Sequence, residues 1–210
     1  MLKKLTQEQL DDILETAIRL FGDRGVERVS VAEIAKQSGV SVGVIYKYYA
    51  SKQVLFEACL EHSLQKLDDE IEASVNGMEI GASAGRLLQA GFDVCREHPA
   101  YIRMYHQITG FGDVELQKKY AVLIESRSAK RYTEIIRRAQ ASGIVRRDID
   151  ASMLAYFMDN LLMMMHFSAG CPYYQERYRV FCGGDSILED TRVREAFVSF
   201  VQSAFGHAEN

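Results

Sequence analysis

Between Ile34 and Gln53 the chain reads IAKQSGVSVGVIYKYYASKQ. Residues 34 to 52 carry Lys36, Lys47 and Lys52 and the phenols of Tyr46, Tyr48 and Tyr49. They hold not one carboxylate, although the 210-residue sequence has 29 acids. Cations and hydroxyls without competing anions are what a polyanion needs from a protein surface. An acid-free window also arises by chance, so charge alone does not decide. Gly43 sharpens the question. It interrupts Val42, Val44, Ile45 and Tyr46 in what otherwise reads as a short helix. Glycine there costs about 1 kcal/mol relative to alanine. A helix carries that cost when something must approach its backbone closely.

Residues suited to other chemistry are not arranged for it. His166 with Cys171 and Cys182, and His98 with His106, lack the i, i+4 or CxxC spacing of a preformed metal site. A satisfied core or surface role is expected for each. There is no nucleophile elbow, no phosphate-binding loop and no pair of carboxylates convincingly on one face. No catalytic residue, metal ligand or cofactor is therefore assigned.

The elements that position residues 34 to 52 read as helices, and the fold class is all-α. Thr6 and Gln9 form a capping box, and Leu10, Ile13, Leu14, Ala17 and Phe21 then make one stripe of a 3.6-residue helix. GDRG at 22–25 ends it. Ser30 and Glu33 make a second capping box, opening a short helix that Gly39 stops. Ser41 caps a third helix, running to about Tyr48 or Tyr49. Ser51 caps a fourth, with apolar Leu60, Leu64, Leu67, Ile71 and Val75, which Asn76 and Gly77 close. Two short helices joined by GVS are a helix-turn-helix in outline. Ile34, Ala35, Val40, Ile45 and Tyr49 are expected to point inward. Val42, Gly43, Val44, Tyr46 and Lys47 then lie outward or lateral, and Gly43 lets a duplex approach the backbone.

Beyond residue 50 the helices lengthen, with spans expected near 83–97, 100–109, 113–141, 150–169 and 191–205. Segment 170–190 is the least regular and reads as a loop with a short helical piece. Val193, Ala196, Phe197, Phe200, Val201 and Ala204 form a stripe that needs a partner surface, within the subunit or beyond it. Phe92, Cys95, Tyr101, Met104, Tyr105, Tyr156, Phe157, Met163, Met164, Met165 and Phe167 give the middle helices a load of soft and aromatic side chains. Plain core is one reading of that load and the lining of a cavity another. Three consecutive methionines turn by about 100° each, so they cannot all face one cavity.

The string from Ile34 to Ala58 resembles the TetR family of bacterial transcriptional regulators. Ile34, Ala35, Gly39, Val40, Ser41, Gly43, Tyr46, Tyr48, Lys52 and Leu55 stand at the family's characteristic positions. Ser38 replaces its common alanine and Tyr49 its common phenylalanine. The string covers about an eighth of the chain. The resemblance implies a three-helix DNA-binding domain over 1–50 and a larger helical effector-binding and dimerisation domain over 51–210. It implies that Ser41 caps the recognition helix and that Val42, Gly43 and Val44 face base edges. Tyr46, Tyr48 and Lys52 would contact the phosphate backbone, and Ser30 would set a helix N-terminus against a phosphate. Lys47, at a variable position, would reach a guanine or a phosphate. Val42 and Val44 suit thymine methyl groups. The last two helices, 150–169 and 191–205, would form a four-helix dimer interface. Part of the soft and aromatic set would line an effector cavity suited to an apolar or aromatic small molecule.

The expected function is that of a ligand-responsive regulator, a repressor, binding a palindromic double-stranded DNA operator as a homodimer. It would not be an enzyme. The alternative is a helical small-molecule carrier or enzyme without specific DNA binding. A net charge of −4 excludes a generally basic nucleic-acid coat. Four cysteines without a CxxC pair fit free thiols in a reducing compartment. MLKKLTQEQL has no apolar run after its lysines and is no signal peptide. Asp159 and Asn160 break the most apolar segment, which argues for burial in protein rather than in lipid. A cytoplasmic location without membrane association is the expectation.

Overall fold

A computed structural model describes residues 4–75 and 80–206. Among them the chain forms ten helices and no strands. Helix α1 spans Gln7–Arg24, α2 Val31–Gln37, α3 Val42–Tyr48 and α4 Lys52–Val75. They are followed by α5 Ile80–Glu97, α6 Pro99–Ile108, α7 Val114–Ala141, α8 Ala151–Gly170, α9 Pro172–Cys182 and α10 Thr191–Phe205. No described helix is long and apolar enough to cross a membrane.

Local chemistry sets the boundaries. The Thr6 hydroxyl accepts from Gln9 N at 3.3 Å, and the Gln9 side chain accepts from Thr6 N at 3.1 Å, a complete capping box. Ser30 accepts from Glu33 N at 3.2 Å. The reciprocal half of that expected box is not formed, because the Glu33 carboxylate pairs with Arg24 instead. Gly39 takes a positive φ of 67°, as a residue stopping a helix this way does. Asn76 and Gly77, expected to close α4, lie outside the described residues. Segment 170–190 departs from expectation, because α9 is an 11-residue helix. Pro172 starts it, where a missing N–H is harmless, and left-handed Gly183 ends it. Its outward side carries exposed Tyr173, Val180 and Phe181, so the periodic pattern of a half-buried helix is weak there.

Two hydrophobic clusters hold the molecule together. One joins α1, α2 and Ile45 of α3 to α4, α6 and the first half of α7. Phe21, Phe56, Phe111 and Tyr120 form its aromatic centre, with ring centroids 5.5–6.0 Å apart. The other gathers α5, the second half of α7, α8, α9 and α10. Helix α6 contributes to both, through Tyr101, Met104 and Ile108 on one side and Ile102 on the other. It lies so close to α1 that a Cβ on Gly22 would come within 2.6 Å of the Ala100 carbonyl oxygen.

Candidate nucleic-acid interface and effector cavity

Ile34, Ala35 and Ile45 are buried, and Val40 and Tyr49 pack half-buried against the same cluster. These residues fix α2 and α3 on α1, as the pattern predicts. On the opposite side Val42, Tyr46 and Lys47 are exposed and Val44 is half-buried. Ser41 caps α3, accepting from Val44 N at 3.3 Å. Gly43 has no structural need to be glycine. Its φ is not positive, and an added Cβ would meet nothing nearer than Ser41 Oγ at 4.0 Å. The missing side chain leaves open space on the outer face, where α3 exposes backbone between Val42 and Tyr46.

Two expected phosphate contacts are already engaged within the subunit. The Tyr48 hydroxyl accepts from Leu5 N at 2.8 Å, tying the N-terminal segment to α3 while its own hydrogen stays available to a further acceptor. Lys52 points Nζ at the carbonyls of Val26, Glu27 and Val29, at 2.9, 3.3 and 3.2 Å. An ammonium has three N–H groups, and all three are occupied. In this arrangement Lys52 braces the turn before α2 and holds no donor for a phosphate. Neither engagement leaves a trace in local sequence, because both partners are distant along the chain. Ser30 and Lys36 are exposed beside this surface.

Helix α6 links this head to the rest of the molecule. Tyr101 donates to Glu15, which also accepts from His62 at 3.0 Å and Lys66 at 2.7 Å. Burial alone would raise the Glu15 pKa, but these three hydrogen bonds outweigh it and hold the carboxyl at about 2. Two residues on, Arg103 pairs with Asp23 of α1 at 2.6 Å.

Behind α6 lies a cavity of about 90 Å³ enclosed by α4, α5, α6, α7 and α8. Of the residues expected to line an effector site, Tyr105, Met163 and Phe167 do so. Tyr101 and Met104 belong to the α1–α6 core and border, with Tyr105, a smaller apolar gap of about 70 Å³. Phe92 and Cys95 are core residues, the Phe92 ring edge-on to His166 at 6.3 Å. Met164 is half-buried against the core. Tyr156 and Phe157 are corrected outright. They are 62% and 45% exposed on α8, and neither borders the inner cavity. Tyr156 borders instead an outer groove of about 350 Å³ between α7 and α8.

The expected dimer stripe on α10 is also split. Phe197 and Val201 are buried within the subunit and cannot meet a partner, and Val193 and Ala204 pack partly against the same core. Ala196 and Phe200 face outward. Sequence periodicity found the apolar positions but merged two faces.

Three cavity residues were not expected. Glu125, Asp159 and His166 all border the inner space. His166 is not the satisfied core residue anticipated, since Nε2 is buried without a hydrogen bond. Burial lowers its pKa to about 4. The available signal was a carboxylate in the middle of the most apolar helix, on the same face as Met163 and His166. No group of three or more His, Cys, Asp or Glu that could hold a metal ion occurs among the described residues.

A capped seven-residue helix with an open glycine, braced by a second short helix, is a helix-turn-helix in its geometry. Residues 13–59 match the family described as bacterial regulatory proteins, tetR family. Nucleoid occlusion factor SlmA of Haemophilus influenzae is 33% identical over 125 residues, covering 57% of this chain and 56% of that protein. Its counterpart from Pasteurella multocida is 31% identical over 125 residues, covering 57% and 61%. The chain thus matches little more than half the length of these curated relatives. Solved structures share the fold over nearly the whole chain. The ketosteroid transcriptional regulator KstR2 of Mycobacterium tuberculosis superposes with a TM-score of 0.65 at 18% identity, covering 98% of both chains. A protein from Saccharomonospora viridis in complex with choline has a TM-score of 0.74 at 20% identity, covering 97% of this chain and all of that one.

Proposed function

We propose that the protein is a ligand-responsive transcriptional regulator, a repressor, that binds a palindromic operator as a homodimer. The observation that carries this reading is Gly43. Neither backbone conformation nor internal packing requires glycine there, so its helix-propensity cost has its reason outside the subunit. A duplex in contact with Val42, Gly43, Val44, Tyr46 and Lys47 supplies that reason. Ser30, Ser41 and Tyr48 would stand at the rim of the contact, and Lys52 would act by positioning the turn it braces. Residues 1–50 would form the reading head and 51–210 the sensing and dimerising body.

One such head reads few base pairs, so a specific site needs two. Met153, Tyr156 and Phe157 on α8 and Phe200 on α10 expose apolar surface suited to a second copy. The effector would occupy the cavity behind α6. It would act by binding more tightly to the DNA-incompetent state. Tyr105 lines the cavity on the same helix whose Tyr101 and Arg103 grip α1, which gives a short path from ligand to head. The choline-bound neighbour supports small-molecule binding within this fold. The regulators found by similarity support a non-enzymatic role.

A second reading, prompted by the similarity to nucleoid occlusion factors, is a duplex-binding protein that no small molecule releases. Both readings begin with specific duplex binding. Selection from a pool of random duplexes should enrich a palindromic site, with thymines under α3 and affinity falling steeply as salt rises. A pool that enriches nothing would contradict both readings and favour a carrier. A ligand-induced loss of duplex affinity separates the first from the second.

A further inference from the structure

The inner cavity and the outer groove share four lining residues: Glu125, Ser128, Asp159 and Met163. Two carboxylates therefore stand where the two spaces meet. The guanidinium groups of Arg127 and Arg131 also border the inner cavity, but they are committed to other acids. Arg127 pairs with Glu61 and Asp68, and Arg131 pairs with Asp68 at 2.8 Å. Glu125 accepts a hydrogen bond from the Tyr105 hydroxyl at 2.6 Å, and the Ser128 hydroxyl, which lowers the Asp159 pKa slightly, donates to the Glu125 carbonyl at 3.2 Å. Among the described residues neither carboxylate forms a salt bridge. Two anions facing one space without a cation between them is an incomplete arrangement.

His166 provides an independent sign at the other end. Its Nε2 is fully buried, unpartnered, and pressed against Gly91, where a Cβ would stand 1.8 Å away. Both residues border the inner cavity. Asp159, Met163 and His166 lie at i, i+4 and i+7, on one face of α8. The carboxylate and the imidazole are thus about 10 Å apart along the helix. An uncharged imidazole can accept a hydrogen bond but offers no counter-charge. Between the two ends lie Tyr105 and Phe167, their rings 5.4 Å apart.

We infer that this cavity takes a protonated organic amine with an apolar, ring-sized body and a neutral hydrogen-bond donor at its far end. The inference rests on the effector-binding reading above and names the ligand class. The ammonium group sits between Glu125 and Asp159, the body lies against Tyr105 and Phe167, and the imidazole of His166 turns from Gly91 to accept from the far hydroxyl. An organic anion would meet two carboxylates at the mouth. A diamine would bring a second charge to an imidazole that cannot balance it.

Calorimetric titration of the full chain with three probes tests this assignment. Tyramine has both features, phenethylamine lacks the hydroxyl, and 3-(4-hydroxyphenyl)propionate reverses the charge. Tyramine should bind, phenethylamine should bind about fivefold more weakly, and the anion should not bind. Glu125→Gln and Asp159→Asn should each weaken tyramine about tenfold. His166→Phe should remove the difference between tyramine and phenethylamine. Thermal melting checks that each variant folds, and if one carboxylate variant does not, the other carries the test. Equal binding of the anion, unchanged tyramine affinity in both carboxylate variants, or no binding of any probe at millimolar concentration would overturn the assignment. Duplex binding is measured separately on ligand-free protein. Failure of the ligand class therefore leaves the DNA-binding reading standing, and failure of duplex binding leaves the amine result standing.

Discussion

At Gly43 a methyl group would project into open space, its nearest neighbour 4.0 Å away, whereas at Gly91 it would land 1.8 Å from His166 Nε2. Both glycines sit inside helices, and both forgo helix propensity. The one on α5 makes room inside the subunit for a buried imidazole. The one on α3 makes room where the subunit has nothing to place. On the proposed reading, the contrast separates a residue required by its own fold from one that serves a bound duplex. It also separates the two regions. The head presents a rigid, filled unit with an outward opening, and the body keeps unfilled space with unbalanced polar groups around it.

Gly91→Ala gives the largest expected loss of stability. The added methyl must displace His166, and overpacking of this kind costs about 1–3 kcal/mol. Thermal unfolding should show a melting temperature lower by several degrees. An unchanged melting temperature would mean that the imidazole relocates freely.

Asp159→Asn should do the opposite. Burial and then the neighbouring Glu125 charge raise the Asp159 pKa from 3.8 to about 6, against a smaller lowering by Ser128. Tyr105 and Tyr132 face the same carboxylate and feel its charge, and Arg131 beside Tyr132 is paired with Asp68. With the folded pKa raised, the native state holds the proton between about pH 4 and pH 6 while the unfolded chain releases it. Stability therefore falls as pH rises through that window. The variant should be more stable by about 2 kcal/mol at pH 8 and equal to the parent below pH 4. Denaturant titration at the two pH values measures it. A gain that persists at pH 3.5 would point to packing instead of charge.

Lys52→Ala sharpens the comparison from the head. With Nζ on three carbonyls, its loss should lower stability by about 1–2 kcal/mol and weaken duplex binding together. Weaker binding at unchanged stability and a reduced salt slope would restore a direct phosphate role. Smaller still, Val44→Ala should cost about 1 kcal/mol at particular base pairs only, read as relaxed preference in a selected site.

The sequence made the head largely legible. Ser30, Ser41, Gly39 and the inward Ile34, Ala35 and Ile45 follow local rules of capping, turning and periodicity. The long helices were legible for the same reason. What escaped depended on distance along the chain. Lys52 reaches back to residues 26–29, Tyr48 to Leu5, and His166 to Gly91, and no window of sequence contains both partners. Periodicity also located apolar residues without assigning their face, so Phe197 and Val201 were grouped with Phe200, and Phe157 with Phe167. Asp159 was visible as an oddity in an apolar helix but not as half of a pair with Glu125 on α7.

The most direct test of the central claim is Gly43→Ala, with folding stability and affinity for a selected duplex measured on the same preparation. The protein should be as stable as the parent or more so, by up to about 1 kcal/mol. Its duplex affinity should fall about tenfold, which is about 1.4 kcal/mol. Undiminished affinity would mean that nothing approaches α3 at that point, and the regulator reading would lose the observation on which it rests.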